Sequence, residues 1–278
     1  MYNLFDVIKS IITETKSHND FKSVSFDNIN KIHITVMDNN IEWLGMIAPS
    51  ISNNKLVFEL FVQNSIFEDL LSNDNDKKLY AKSIIIHELY HLKELSISNN
   101  KIDIMPIYNI KRNCTRSLLI NLGYKQWTEY YAHYNSAKYY CPPVNLSNVI
   151  YQSEISLTVI KRELYNSQDI QLPEFIYKNI EDFISFTVKL AAIYNQSKND
   201  DILNHLQKYK NNTLYMNHFN YIYKIISYMD NIYQAYPDWV SEEKFLVIGK
   251  RLFSIVHDYN ITYSTNDLSD NFIFISTK

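Results

Sequence analysis

Glycine occurs only three times in 278 residues, at Gly45, Gly123 and Gly249, where about 7% is usual. Sharp turns that hold a phosphate or present a nucleophile need several glycines close together, so that backbone can approach a ligand without a Cβ in the way. Three isolated glycines cannot supply a phosphate-binding loop, a dinucleotide fingerprint or a nucleophile elbow. ATP- and NAD-dependent chemistry by those routes is therefore not expected.

Charge narrows the field further. The net charge is −3, with 21% charged residues, and Lys and Arg are scattered, so no basic patch for nucleic acid is expected. Cys114 and Cys141 are the only cysteines, too few for a disulfide framework, and the N-terminus does not read as a secretion leader. The expected compartment is cytoplasmic. The most apolar window, Phe183 to Tyr194, is interrupted by Lys189 and falls short of the ~18 residues of a membrane span, so no membrane partner is expected. With 46% hydrophobic residues the chain can bury one large core or two small ones.

Periodicity sets the expected order of elements. Leu4, Val7, Ile8, Ile11 and Ile12 form a helical stripe, and Ile32, Ile34 and Val36 alternate with His33 and Thr35 as in a half-buried strand. Two further β-rich runs, Ile41 to Ala48 and Lys55 to Gln63, are separated by Pro49, Ser50, Ser52, Asn53 and Asn54, read as breakers. Three strands with short links predict an antiparallel meander. Ser72 to Lys78 offers N-caps for a helix over Leu79 to Leu95 that is apolar nearly all round and should be buried. Thr115 to Tyr140 reads as a long helix with Gly123 as the candidate break, stopping before Pro142 and Pro143. Helices are then expected over 146–166, 173–198, 201–209, 213–235 and 241–259, and Phe272 to Ile275 reads as a terminal strand or a tail. The fold class is α+β: residues 1–143 with a meander and an active-site helix, then a mainly helical domain over 144–278.

Inside the buried helix stands His87-Glu88-Leu89-Tyr90-His91, the pattern H-E-x-x-H. One helical turn puts His87 and His91 on one face, about 6 Å apart along the axis. Two imidazoles can then hold Zn²⁺ while the neighbouring Glu88 takes a proton from the attacking water. Two histidines hydrogen-bonded in a core beside a surface Glu is the plainer alternative. Against it, burying two His and a Glu among Ile84, Ile85, Ile86, Leu89 and Leu92 is costly without a partner.

A zinc site with two histidines needs a third protein ligand. Glu94 lies seven residues after His87, about 10 Å along the axis, and is expected to be solvated or to stand behind the ligands. Glu129 is the better candidate, a carboxylate among Trp127, Tyr130, Tyr131 and Tyr134 that is expensive to bury without a cation; the alternative is that it faces solvent. His133, one turn on, points the same way. It can support a ligand, donate a hydrogen bond to a developing oxyanion as a catalytic residue, or be a helix-surface histidine.

A strand meander, a helix with H-E-x-x-H and a downstream helix with Glu resemble the zincin metallopeptidases of gluzincin type, and among them the ImmA/IrrE-like peptidases. The likeness spans roughly residues 25–143. It implies His87, His91 and Glu129 as zinc ligands and Glu88 as general base; His133 stands where thermolysin-like gluzincins carry a supporting Asp. The expected function is a zinc-dependent endopeptidase acting on a protein or peptide substrate. Its substrate is expected along an exposed sheet edge, with Lys55 to Gln63 as that edge or Ile41 to Ala48 instead. Two alternatives stand beside it: a catalytically silent zincin-fold module that grips a partner through its helical half, and a non-hydrolytic metal site of His87, His91, Glu129 and His133.

Overall fold

The computed structural model describes residues 4–17, 21, 29–35, 44–53, 55–110, 114–139, 174–209, 216–259, 261–263 and 274–276. The chain divides into two compact units, Met1–Ile97 with Tyr131–Pro142, and Ser98–Tyr130 with Pro143–Lys278. Two of the division lines fall inside continuous helices and a third between Pro142 and Pro143. The class is α+β, and no helix among the described residues is long and apolar enough to cross a membrane.

The first unit begins with helix α1, Leu4–Ser17, whose Ile8, Ile11, Ile12 and Thr15 are buried at the expected three- and four-residue spacing. Strands β1 (Ile29–Thr35), β2 (Gly45–Ser52) and β3 (Lys55–Gln63) form one sheet in the order β1-β3-β2. β2 and β3 are an antiparallel pair, but β1 runs parallel to β3, with Ile32 opposite Leu60. The expected meander is therefore wrong: period-two alternation identifies a strand without saying which neighbour it takes or in which direction. The edge reading changes with it. β3, the expected edge, is flanked on both sides, whereas β2 has a strand on one side only among the described residues.

Pro49 is not a breaker either. It lies within β2 opposite Phe58, tolerated because an edge strand has one side on which a missing N–H costs no ladder bond. The reversal into β3 starts at Asn53, whose φ of 51° is left-handed backbone that Asn tolerates well. Phe58, Leu60 and Val62 of β3 are buried and alternate with half-buried Val57, Glu59 and Phe61, so one face of the sheet looks into the core.

That face meets the central helix. A short α2, Asn64–Leu71, leads into α3, Asn75–Asn99, capped by Asp74, whose Oδ1 accepts from the Asp76 and Lys77 amides at 2.9 and 3.3 Å. Ala81, Ile85, Ile86, Leu89, Tyr90, Leu92 and Leu95 of α3 are buried, as its near-continuous hydrophobicity requires. The surface pair Lys82–Glu14, 2.7 Å apart, ties α3 to α1, although partly exposed pairs of this kind add little stability.

After α4, Met105–Tyr108, helix α5 runs Thr115–Ser136 without a break at Gly123. The second unit takes the first part of α5 and adds α6 (Glu174–Ser197), α7 (Asp200–Tyr209), α8 (Met216–Gln234) and α9 (Glu242–Phe253), with a 3-10 turn over Ser254–Tyr259. The Asn199-Asp200-Asp201 cluster separates α6 from α7, and Asn199 Oδ1 caps α7 through the Asp201 amide at 2.9 Å. The helix expected over 146–166 lies outside the described residues. Strands β4 (Ile261–Tyr263) and β5 (Phe274–Ser276) pair antiparallel, so the end of the chain includes a strand.

Glycine explains one crossing in this unit. A Cβ on Gly123 would collide with the Phe245 carbonyl and stand 2.7 Å from the Gly249 nitrogen, and one on Gly249 would collide with the Leu119 carbonyl. α5 and α9 therefore touch backbone to backbone at the one place where neither has a side chain. Around it Trp127 is fully buried, packed against Tyr130, Tyr233, Tyr236 and Trp239 with ring centroids 4.8–6.4 Å apart. Asn195 Nδ2 donates to Tyr130 Oη and to the Ile226 carbonyl, both at 2.9 Å, joining α5, α6 and α8.

Candidate metal centre

Helix α3 places His87 and His91 one turn apart, and their rings meet edge to face with centroids 4.6 Å apart. The two Nε2 atoms are 3.0 Å from each other. Ring nitrogens this close share either a proton or a cation. A tetrahedral zinc with bonds of about 2.05 Å would separate two ligand nitrogens by about 3.3 Å, within a few tenths of an ångström of the spacing present. Both histidines are half-buried, which suits a ligand with one face toward solvent.

Helix α5 supplies the rest. His133 lies against His87, centroids 4.3 Å apart and planes inclined by 49°, and this contact lies within the first unit. Glu129 is one turn earlier on the same unbroken helix, so helical geometry carries it to the same face. One ligand atom each from His87, His91 and Glu129 lie within 4.8 Å of one another, and this is the group of metal-binding type found among the described residues. Two imidazoles and a carboxylate are a donor set that zinc accepts, with a fourth position left for water or substrate. Glu129 is half-buried rather than solvent-facing. Its charge also acts on Lys189 of α6: burial pulls that lysine's pKa down, and the Glu129 carboxylate pushes it partly back up.

Glu88, the expected base, is 6% exposed, beside the two histidines on α3. Its side chain runs against the start of β2, where a Cβ on Gly45 would fall 2.9 Å from Glu88 Cγ and 3.3 Å from its Oε1. Sequence reasoning missed this neighbour; the available signal was that a chain so poor in glycine spends one inside the β-rich run Ile41 to Ala48. For Glu94 burial decides between the two expected places. It is fully buried, as are its helix neighbours Leu92 and Leu95, which removes the solvated alternative and leaves the place behind the ligands open. Comparison with protein-family models, with curated proteins and with solved structures finds no match to this chain.

Proposed function

We propose that the chain is a zinc-dependent endopeptidase of gluzincin type, resembling the ImmA/IrrE-like peptidases, that hydrolyses peptide bonds of a protein substrate. The observation that carries this reading is the approach of His87, His91 and Glu129, all within 4.8 Å, with Glu88 next to the first histidine in sequence. A protein that merely packs two histidines has no use for a third donor on a separate helix, nor for a buried carboxylate beside them. Residues 1–143 carry the chemistry, and the helices of 144–278 select or hold the substrate.

His87, His91 and Glu129 would hold the ion, and a zinc there supplies Lewis-acid polarisation and a water that deprotonates near neutral pH. The Glu88 carboxylate accepts the proton of the attacking water and returns it to the departing amide nitrogen. His133, beside His87, donates a hydrogen bond toward the oxygen on which charge develops. β2, bordered by a strand on one side only among the described residues, offers backbone N–H and C=O groups that an extended peptide can pair with irrespective of its side chains.

The test is Glu88→Gln, which keeps shape and hydrogen-bonding capacity but cannot take up the proton. Zinc content should stay at that of the wild type while cleavage of a protein or peptide library falls by about 10²–10⁴-fold. Full activity in Glu88→Gln would show that another group is the base.

A further inference from the structure

Gly45 adopts an ordinary strand backbone, and no glycine of the three has a positive φ. Backbone torsion therefore does not explain the residue; space does. A Cβ there would stand 2.9 Å from Glu88 Cγ, 3.3 Å from Glu88 Oε1 and 3.1 Å from Ile84 Cγ2. The first of these is shorter than real Cβ contacts allow, so a neighbour must move. β2 is not free to do so: Gly45 sits in register with Val62 of β3, and the Gln63 amide donates to the Leu44 carbonyl at 3.0 Å. Nor is the backbone of α3 on either side of Glu88, where Ile85, Ile86, Leu89 and Leu92 are buried. The displacement falls on the Glu88 side chain, whose torsions are the softest element in the contact.

Resting on the endopeptidase reading, we propose that Gly45 is a positioning residue for Glu88: the missing side chain at the first position of β2 is the slot that the carboxylate stem occupies. The sheet thus sets the place of the base as well as offering an edge to the substrate. Any side chain at position 45 trades that place away, even one that leaves His87, His91 and Glu129 untouched.

Two readouts on the full-length protein test this. In urea unfolding, Gly45→Ala should lower the midpoint, and the same substitution in a Glu88→Ala background should lower it by less than about half as much, because the clashing atoms are gone. Equal shifts in both backgrounds would overturn the proposal. If Gly45→Ala does not fold, Gly45→Ala/Glu88→Ala must fold; failure of both also overturns it. In steady-state cleavage of quenched-fluorescent peptides, Gly45→Ala with its zinc retained should lose kcat by about 10–100-fold, the effect of an ångström-scale misplacement, with KM changed little. Unchanged kcat contradicts the positioning role. A wild type that binds zinc but cleaves none of the peptides would instead count against the endopeptidase reading, and the unfolding cycle would then decide the role of Gly45 by itself.

Discussion

The crossing of α5 with α9 and the contact of β2 with α3 both depend on glycine, for different reasons. At the crossing, Gly123 and Gly249 let two backbones meet, and the atoms that a Cβ would strike are main-chain atoms of the facing helix, of Phe245 and Gly249 on one side and Leu119 on the other. At the sheet, Gly45 makes room for a side chain, that of Glu88. Backbone cannot step aside without taking a helix with it, whereas a glutamate can rotate. The same residue type is therefore a determinant of stability in one region and of a functional group's position in the other.

That contrast is broken or sharpened by substitution. Gly249→Ala should cost about 3 kcal/mol, the upper part of the range for overpacking, because α5 and α9 must separate; guanidinium unfolding measures it, and a loss below about 1 kcal/mol would mean that the crossing relaxes easily. Its folded fraction should keep wild-type zinc content. Asn195→Ala, which removes the buried donor to Tyr130 and Ile226, should cost about 1–3 kcal/mol through the loss of two buried hydrogen bonds. Ser241, whose Oγ accepts from the Lys244 amide at 3.2 Å at the start of α9, should cost about 1 kcal/mol when changed to Ala.

The smallest effect is electrostatic. Arg116 hydrogen-bonds Glu243 and Glu242 and holds the Glu243 carboxyl below its ordinary pKa of 4.5. A folded-state pKa below the unfolded one stabilises above the unfolded value, and that contribution is lost as pH falls through the folded value. Arg116→Ala should therefore lower Tm slightly at pH 7, with the gap to wild type closing as pH drops below about 4.5. A gap that widens on acidification would contradict the assignment.

The helices and the site were legible in the sequence to an unequal degree. H-E-x-x-H places three groups by helix geometry alone, and α3 needed only its buried flanks and the Asp74 cap to be recognised. Glu129 was accessible because its neighbours Trp127, Tyr130 and Tyr131 are apolar, and all three are buried. The parallel partnership of β1 with β3 was not, since it joins segments separated by β2 and strand periodicity is blind to direction. Pro49 misled for a related reason: a proline rules out a central strand, and only the sheet order shows that β2 is an edge among the described residues. Gly45 stands out in sequence only as one of three glycines; its role lies in a contact 43 positions along the chain, which no local pattern encodes. For Glu94 the sequence left two places open, solvated or behind the ligands, because spacing along α3 locates a residue on a face without showing what covers that face; its burial removes the first.

The most direct test of the metal centre is zinc content per chain by elemental analysis, on wild type and Glu129→Ala in parallel. The expected result is about one zinc in the wild type, the stoichiometry of a three-ligand site, and much less in Glu129→Ala with helical content unchanged by circular dichroism. A wild type that stays zinc-free when purified without chelators and supplied with the ion, or a Glu129→Ala variant that holds zinc as tightly as the wild type, would contradict the ligand set.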